Sequence, residues 1–175
     1  LDAAILRAID TKPALDAFSE SAVKVDEIPF DFERRRLSVV ADVGGERLLI
    51  TKGAPEGLLP LCGAYEAGGG VAPLDEQARA AITAVFAERS ARGERVLAVA
   101  MRAAPGQARF TAADERDLTL VGFVGFADQP LPDAAAALTA LARDGVRVKI
   151  LTGDNELVAR HVCEEHVALE AARPA

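Results

Sequence analysis

IPFDFERRRLSVV at residues 28–40 and TKGAPE at residues 51–56 are the stretches on which the fold of this chain turns. Two β-rich runs, 37–42 and 46–52, are separated by Gly44-Gly45, the signature of a tight antiparallel hairpin. The first stretch sets Phe30 and Phe32 beside Arg34, Arg35 and Arg36, and the second ends its strand on Lys52-Gly53. An extended segment puts Phe30 and Phe32 on one side. There either ring can stack a purine, which is worth about 1–3 kcal/mol per base, while the arginines pair with phosphates or carboxylates. In isolation the same residues read more readily as core aromatics beside a solvated arginine edge, since buried Phe is the commoner case. Lys52 is one of only four lysines, and Gly53 removes side-chain bulk where a ligand would approach. Aromatic, cationic and Lys-Gly elements carried by one hairpin suit a nucleotide.

Bulk properties narrow the classes around that hairpin. At 175 residues, half of them apolar, the chain is long enough to bury a core as one large domain or two small ones. A formal net charge of -7 argues against a general nucleic-acid surface, which is basic over a whole face. Any anion is therefore bound locally. Cys62 and Cys163 lack metal-ligand spacing and read as reduced packing thiols, which fits the cytosol. The longest apolar run, 118–127, is about half of what spans a bilayer and reads as a strand buried on both faces. The N-terminus has no signal-peptide character, and a start on Leu1 reads as a segment of a longer protein.

Along the chain, helical spacing of Leu1, Ala4, Ile5, Ala8 and Ile9 predicts an opening helix that stops near Pro13. Residues 23–26 are weakly strand-like, 56–62 read as a short helix, and Gly68-Gly69-Gly70 reads as a flexible loop. The longest helix is expected over 74–90, followed by a strand at 95–101 and a polar connection over 103–117. From 128 the pattern changes to helix 133–143, strand VRVKIL at 146–151, a TGDN turn and a helix from 156, a βαβα order that implies a parallel sheet. The fold class is thus α/β: an α+β domain with an antiparallel sheet and flanking helices over 1–122, then an incomplete Rossmann-like unit over 123–175.

A third constellation is the end of VKILTGDN. Thr152 and the backbone N–H groups after it stand where parallel α/β sheets bind ligands, near a helix N-terminus. The same residues also read as an ordinary helix start capped by Asp154 or Asn155. In HVCEEH, His161, Cys163 and His166 fall on different helix faces, so the run is not read as a metal site. Neither GxxxxGK[ST] nor GxGxxG occurs, so a nucleotide is not held by those loops.

Together the motifs resemble those of the P-type ATPases. PFDFERRRLS resembles the family's PFxSxRKxMS segment, TKGAPE its KGAPE box, GERVLAVA its arginine-containing strand, DQPLPD its hinge and TGDN its TGD motif. The order runs from Leu1 to about Leu169 and is closest to the bacterial magnesium-transporting branch. The resemblance implies a nucleotide-binding domain followed by a truncated phosphorylation domain of haloacid dehalogenase type. ATP would be the ligand, with Mg2+ accompanying it in the intact pump. By the same resemblance Phe30 stacks on adenine, Lys52 and Gly53 line the pocket, and Arg35 and Arg95 reach the phosphates. Asp2 stands near the adenine amino group, and Thr152, Gly153 and Asp154 position the transferred phosphoryl group.

The implied partners are the remaining phosphorylation, actuator and transmembrane domains, and the implied location is the cytoplasmic face of a membrane. Departures are Phe32 for Ser, Arg35 for Lys, Leu37 for Met, and Gln129 and Leu131 in the hinge. The chain contains no DKTGT and no GDGxND, so the carboxylate that forms an aspartyl phosphate is not on it. A competing expectation is an interaction or regulatory domain that kept the fold and lost the ligand.

Overall fold

The computed structural model describes residues 21–127, 133–149, 151–153 and 155–166. Seven strands form one sheet: β1 (Ala22–Asp31), β2 (Arg36–Val43), β3 (Glu46–Gly53), β4 (Cys62–Ala67), β5 (Gly70–Pro73), β6 (Glu94–Ala103) and β7 (Leu118–Ala127). Their order across the sheet is β1-β2-β3-β6-β7-β4-β5. The helices are α1 (Pro55–Leu58), α2 (Glu76–Ala91), α3 (Ala134–Arg143) and α4 (Glu156–His166). The fold is mixed α/β, as expected from the patterning. The described residues divide into two compact units, one of 21–74 with 98–122, the other of 75–97 with those from 123 to 166.

In the first unit β2 is paired on both sides, antiparallel to β1 and to β3, and β3 pairs antiparallel with β6. The β2–β3 register runs without interruption from Val43↔Glu46 to Arg36↔Gly53. Gly44 and Gly45 both have positive φ, 58° and 86°, which is the backbone that a two-residue hairpin matched to strand twist requires. This register places Arg36, Ser38, Val40 and Asp42 on one face with Gly53, Thr51, Leu49 and Arg47. Ser38, Val40, Leu49 and Thr51 on that face are fully buried, as are Ala98 and Ala100 of β6. On the opposite face Leu37, Val39, Ile50, Val99 and Met101 are half-buried.

The connection between β6 and β7 closes over the buried face. Arg102 donates to the Asp114 carbonyl (Nη2, 3.0 Å), Arg47 Nη1 to the Gln107 carbonyl (2.6 Å), and the Phe110 N–H to Asp26 Oδ2 (2.8 Å). Phe110 is buried beneath these anchors. Thr111 and Asp114 form a reciprocal capping box around a short 3-10 turn, which stiffens the connection without a regular element. Its side chain–backbone bonds supply the order that a strand would draw from a ladder.

Several expectations change. Residues 62–73 form a second hairpin, β4–β5, with Gly68 and Gly69 at positive φ in its turn, where a flexible glycine loop was expected. The expected helix over 56–62 is α1 followed by a 3-10 turn, and Cys62 already belongs to β4. Pro60 accounts for the break, because it lacks the N–H that a continuing α-helix needs. β7 is not buried on both faces: Leu118 and Leu120 on one face are buried, whereas Val121 on the other is exposed. The sheet is mixed, since β4 pairs parallel with β7.

In the second unit Asp75 caps α2, its Oδ1 accepting from the Ala78 N–H at 2.8 Å. Phe86 of α2 stacks on Phe123, ring centroids 6.4 Å apart. The expected strand over 146–151 is not formed at residues 146–149 or 151, and Leu151 is 96% exposed. A buried parallel strand exists only with neighbours to pair with, and among the described residues none pairs there. Helices α3 and α4 stand where their sequence patterns placed them. The opening helix and the hinge residues Gln129 and Leu131 lie outside the described residues. No helix of the described residues is long and apolar enough to cross a membrane.

Candidate nucleotide-facing site

The two signature stretches meet at one end of β2. β1 stops at Asp31, residues 32–35 turn, and β2 begins at Arg36, which pairs with Asp31 on one side and Gly53 on the other. Phe30 and Phe32 therefore do not share one side of an extended segment, because Phe32 already lies in the turn. Their rings still touch, edge to face, with centroids 5.2 Å apart and planes at 87°. Phe30 is 51% exposed and Phe32 89% exposed, so neither is a core aromatic.

The turn contains no glycine and is held by its own side chains. Asp31 Oδ1 accepts from the N–H groups of Glu33 (2.7 Å) and Arg34 (3.1 Å), and the Arg35 N–H donates to the Asp31 carbonyl at 2.7 Å. The backbone bonds from Arg34 and Glu33 hold the Asp31 carboxyl below its ordinary value. Arg35 sits in the left-handed region at φ 48°, and its carbonyl accepts the Ala54 N–H at 3.0 Å. That bond ties the arginine turn directly to TKGAPE.

The three arginines divide between two roles. Arg34 Nη1 donates to both carboxylate oxygens of Glu115 at 2.8 Å, Arg36 Nε donates to Oε2 at 2.6 Å, and Ser38 Oγ donates to Oε1 at 2.8 Å. Ser38 Oγ also lies 2.8 Å from Thr51 Oγ1. The Glu115 side chain is fully buried. Burial on its own pushes that carboxyl up, but the hydrogen bonds from Arg36, Ser38 and Arg34 outweigh it and hold Glu115 below its ordinary value. Arg35, between the two engaged arginines, is exposed and pairs with no carboxylate among the described residues.

Lys52 lies on the opposite face of β3 from this cluster, half-buried, across from Leu37 on β2 and Val99 on β6. Gly53 has a different reason from the one expected. An added Cβ would stand 2.4 Å from Arg36 Cβ and 2.6 Å from the Arg35 carbonyl oxygen, so the protein's own backbone occupies the space. Phe30, Arg35, Lys52 and Gly53 are thus gathered on adjoining segments of one unit. Arg95 is exposed on β6 and belongs to the second unit, as do the exposed Thr152 and Gly153. Asp2 and Asp154 lie outside the described residues.

Glu115 escaped the sequence reading. It sits in a polar connection some 80 positions from its partners, and its only trace is three adjacent arginines in an acidic chain, a surplus of cations that needs an internal anion.

Comparison with known proteins identifies the family. Residues 1–133 match the family model described as P-type ATPase, cytoplasmic domain N. The chain is 43% identical over 173 residues to the magnesium-transporting ATPase, P-type 1, of Escherichia coli K12, which covers 98% of this chain and 19% of that protein. It is 42% identical, with the same coverage, to the protein of that name from Salmonella typhimurium. A calcium-transporting ATPase 3, endoplasmic reticulum-type, of Arabidopsis thaliana is 32% identical over 145 residues, covering 81% of this chain and 14% of that protein. The chain spans about a fifth or less of the length of these relatives.

Proposed function

This chain belongs to the P-type ATPases, and from that membership we propose that it binds ATP and presents it to an aspartate elsewhere in a cation-transporting pump. Residues 1–122 are the nucleotide-binding domain in this reading, and 123–175 begin the phosphorylation domain. The transported cation is Mg2+, following the relatives that match over nearly the whole chain; the calcium-transporting relative makes Ca2+ the runner-up. The working location is the cytoplasmic face of a membrane, with the remaining domains of the same pump as partners.

The observation that carries this reading is the sorting of the arginine run. Glu115 engages Arg34 and Arg36, and the turn leaves Phe30 half exposed and Arg35 outward, tied through Ala54 to the strand that bears Lys52. Phe30 offers a ring for adenine, and Arg35 and Lys52 supply cationic donors for phosphate oxygens in a chain whose overall charge would repel ATP. By resemblance to the family Arg95 is a further phosphate contact. Thr152, Gly153 and Asp154 hold the phosphoryl group near the aspartate, with positioning and charge neutralisation supplying the rate. Mg2+ enters as the counter-ion of the nucleotide phosphates. Among the described residues no group of three or more His, Cys, Asp or Glu converges to cage it.

Stacking plus one or two phosphate contacts corresponds to a Kd of roughly 0.1–1 mM. Calorimetric or NMR titration of ATP into the chain tests this. Saturable binding that weakens about tenfold or more in Phe30→Ala is expected, with no phosphate release, because the chain carries no DKTGT aspartate. Binding indifferent to Phe30→Ala would remove the site assignment, and no binding at several times the upper Kd would favour the ligand-free domain instead.

A further inference from the structure

Building on that nucleotide reading, we propose that Glu115 is a positioning residue whose buried carboxylate fixes the turn that offers Phe30 and Arg35 to the nucleotide. It acts entirely through Arg34 and Arg36. Arg34 is a bridge: Nη1 binds both Glu115 oxygens, and Nη2 donates to the carbonyl of Pro29, the residue before Phe30, at 2.8 Å. One planar guanidinium therefore ties the carboxylate to the backbone at the base of the aromatic. Arg36 ties the other limb, since Nε binds Glu115 and Nη1 donates to the Arg34 carbonyl at 3.3 Å.

The turn needs such a restraint from outside. Arg35 occupies a left-handed conformation that is unfavourable for any residue with a Cβ, and its carbonyl must stay aligned on the Ala54 N–H. The anchor is itself held: Glu115 is buried, and it is braced by Ser38 and, through Ser38, by Thr51. Its charge has a second effect. Engaging Arg34 and Arg36 leaves Arg35 as the outward cation of the three, so phosphate meets one defined donor and not a choice of three. Removing the carboxylate would free two guanidiniums to compete for the ligand in other geometries.

The test uses the full 175-residue chain as wild type, Glu115→Gln, Phe30→Ala and the double variant, with ATP as the probe. Glu115→Gln is expected to weaken ATP binding about tenfold, and by a clearly smaller factor when Phe30 is already Ala, where only its effect through Arg35 remains. The losses in thermal stability should instead add. A purely structural carboxylate would lower the melting temperature and leave the ATP affinity of the folded chain unchanged. Arg34→Lys keeps the charge, loses the fork, and carries the test if Glu115→Gln does not fold; a drop in ATP affinity of about threefold or more is expected.

A second readout needs no ligand: hydrogen exchange at the Arg35 and Ala54 amides should quicken in both variants, while the β4–β5 hairpin is unaffected. Unchanged exchange at those amides, wild-type or tighter ATP affinity in a folded variant, or independent losses in the cycle would each overturn the inference. Failure of the wild type to bind ATP, or indifference to Phe30→Ala, overturns the nucleotide reading instead. The two failures are therefore distinguishable.

Discussion

β2 is bounded by two turns built on opposite principles. At one end Gly44-Gly45 reverses the chain in two residues, using backbone freedom alone, with no atom within 4 Å of where a Cβ would sit on either glycine. At the other end four residues without glycine reverse it under side-chain control: the Asp31 carboxylate from within, Glu115 from about 80 positions away. The first turn is a self-sufficient local device. The second depends on the completed tertiary structure, and it is the one that displays Phe30 and Arg35. The end of the strand proposed to face the nucleotide is thus the end that local sequence does not determine.

Substitutions should break this contrast to different depths. The largest effect is expected for Glu115→Ala, which leaves two partly buried guanidiniums without their anion and costs about 3–5 kcal/mol in denaturant unfolding. pH reports the same group. Because the folded-state carboxyl lies below its ordinary value of 4.5, its contribution is fully present above that value and is lost as pH falls through the depressed one. Unfolding midpoints should therefore drop below about pH 4.5 in the wild type, and less so in Glu115→Gln.

Gly53→Ala comes next. The new methyl meets Arg36 and the Arg35 carbonyl at under 3 Å, which should cost about 1–3 kcal/mol and disturb the Arg35–Ala54 bond, visible as amide shifts at both residues. Gly45→Ala should cost only about 1 kcal/mol, the left-handed penalty in open space, and leave the far turn untouched. Phe32→Ala is the smallest, within about 0.5 kcal/mol because the ring is almost fully exposed. A larger stability loss there would mean that the aromatic pair is structural.

What could be read from the sequence follows the same division. The β2–β3 hairpin was legible because Gly-Gly sits between two β-branched runs, and α2 because its apolar residues recur at helical spacing before Gly93. The β4–β5 hairpin uses the same two-glycine turn, yet CGAYEA and GVAP lack a β-branched alternation, so its strands were silent. The strand expected at VRVKIL failed for the converse reason: its propensity is strong, but strand formation needs a partner, and none pairs there among the described residues. Of the candidate site, Phe30, Arg35, Lys52 and Gly53 were named from residue type and order, and they lie on adjoining segments of one unit. Glu115 was not, since a salt bridge closed across most of the unit leaves no periodicity, and the true constraint on Gly53 could be known only once Arg36 was seen to fill its space.

The central claim, that the side-chain-controlled end of β2 is the nucleotide end, is tested most directly by mapping backbone amide shifts of the whole chain during an ATP titration. The account predicts saturable shifts concentrated at residues 30–36 and 51–54, with Gly44-Gly45 and the β4–β5 hairpin unmoved. Shifts centred on the glycine turn or spread evenly over the sheet would contradict it, as would none at all at ATP concentrations well above 1 mM, the upper end of the roughly 0.1–1 mM expected.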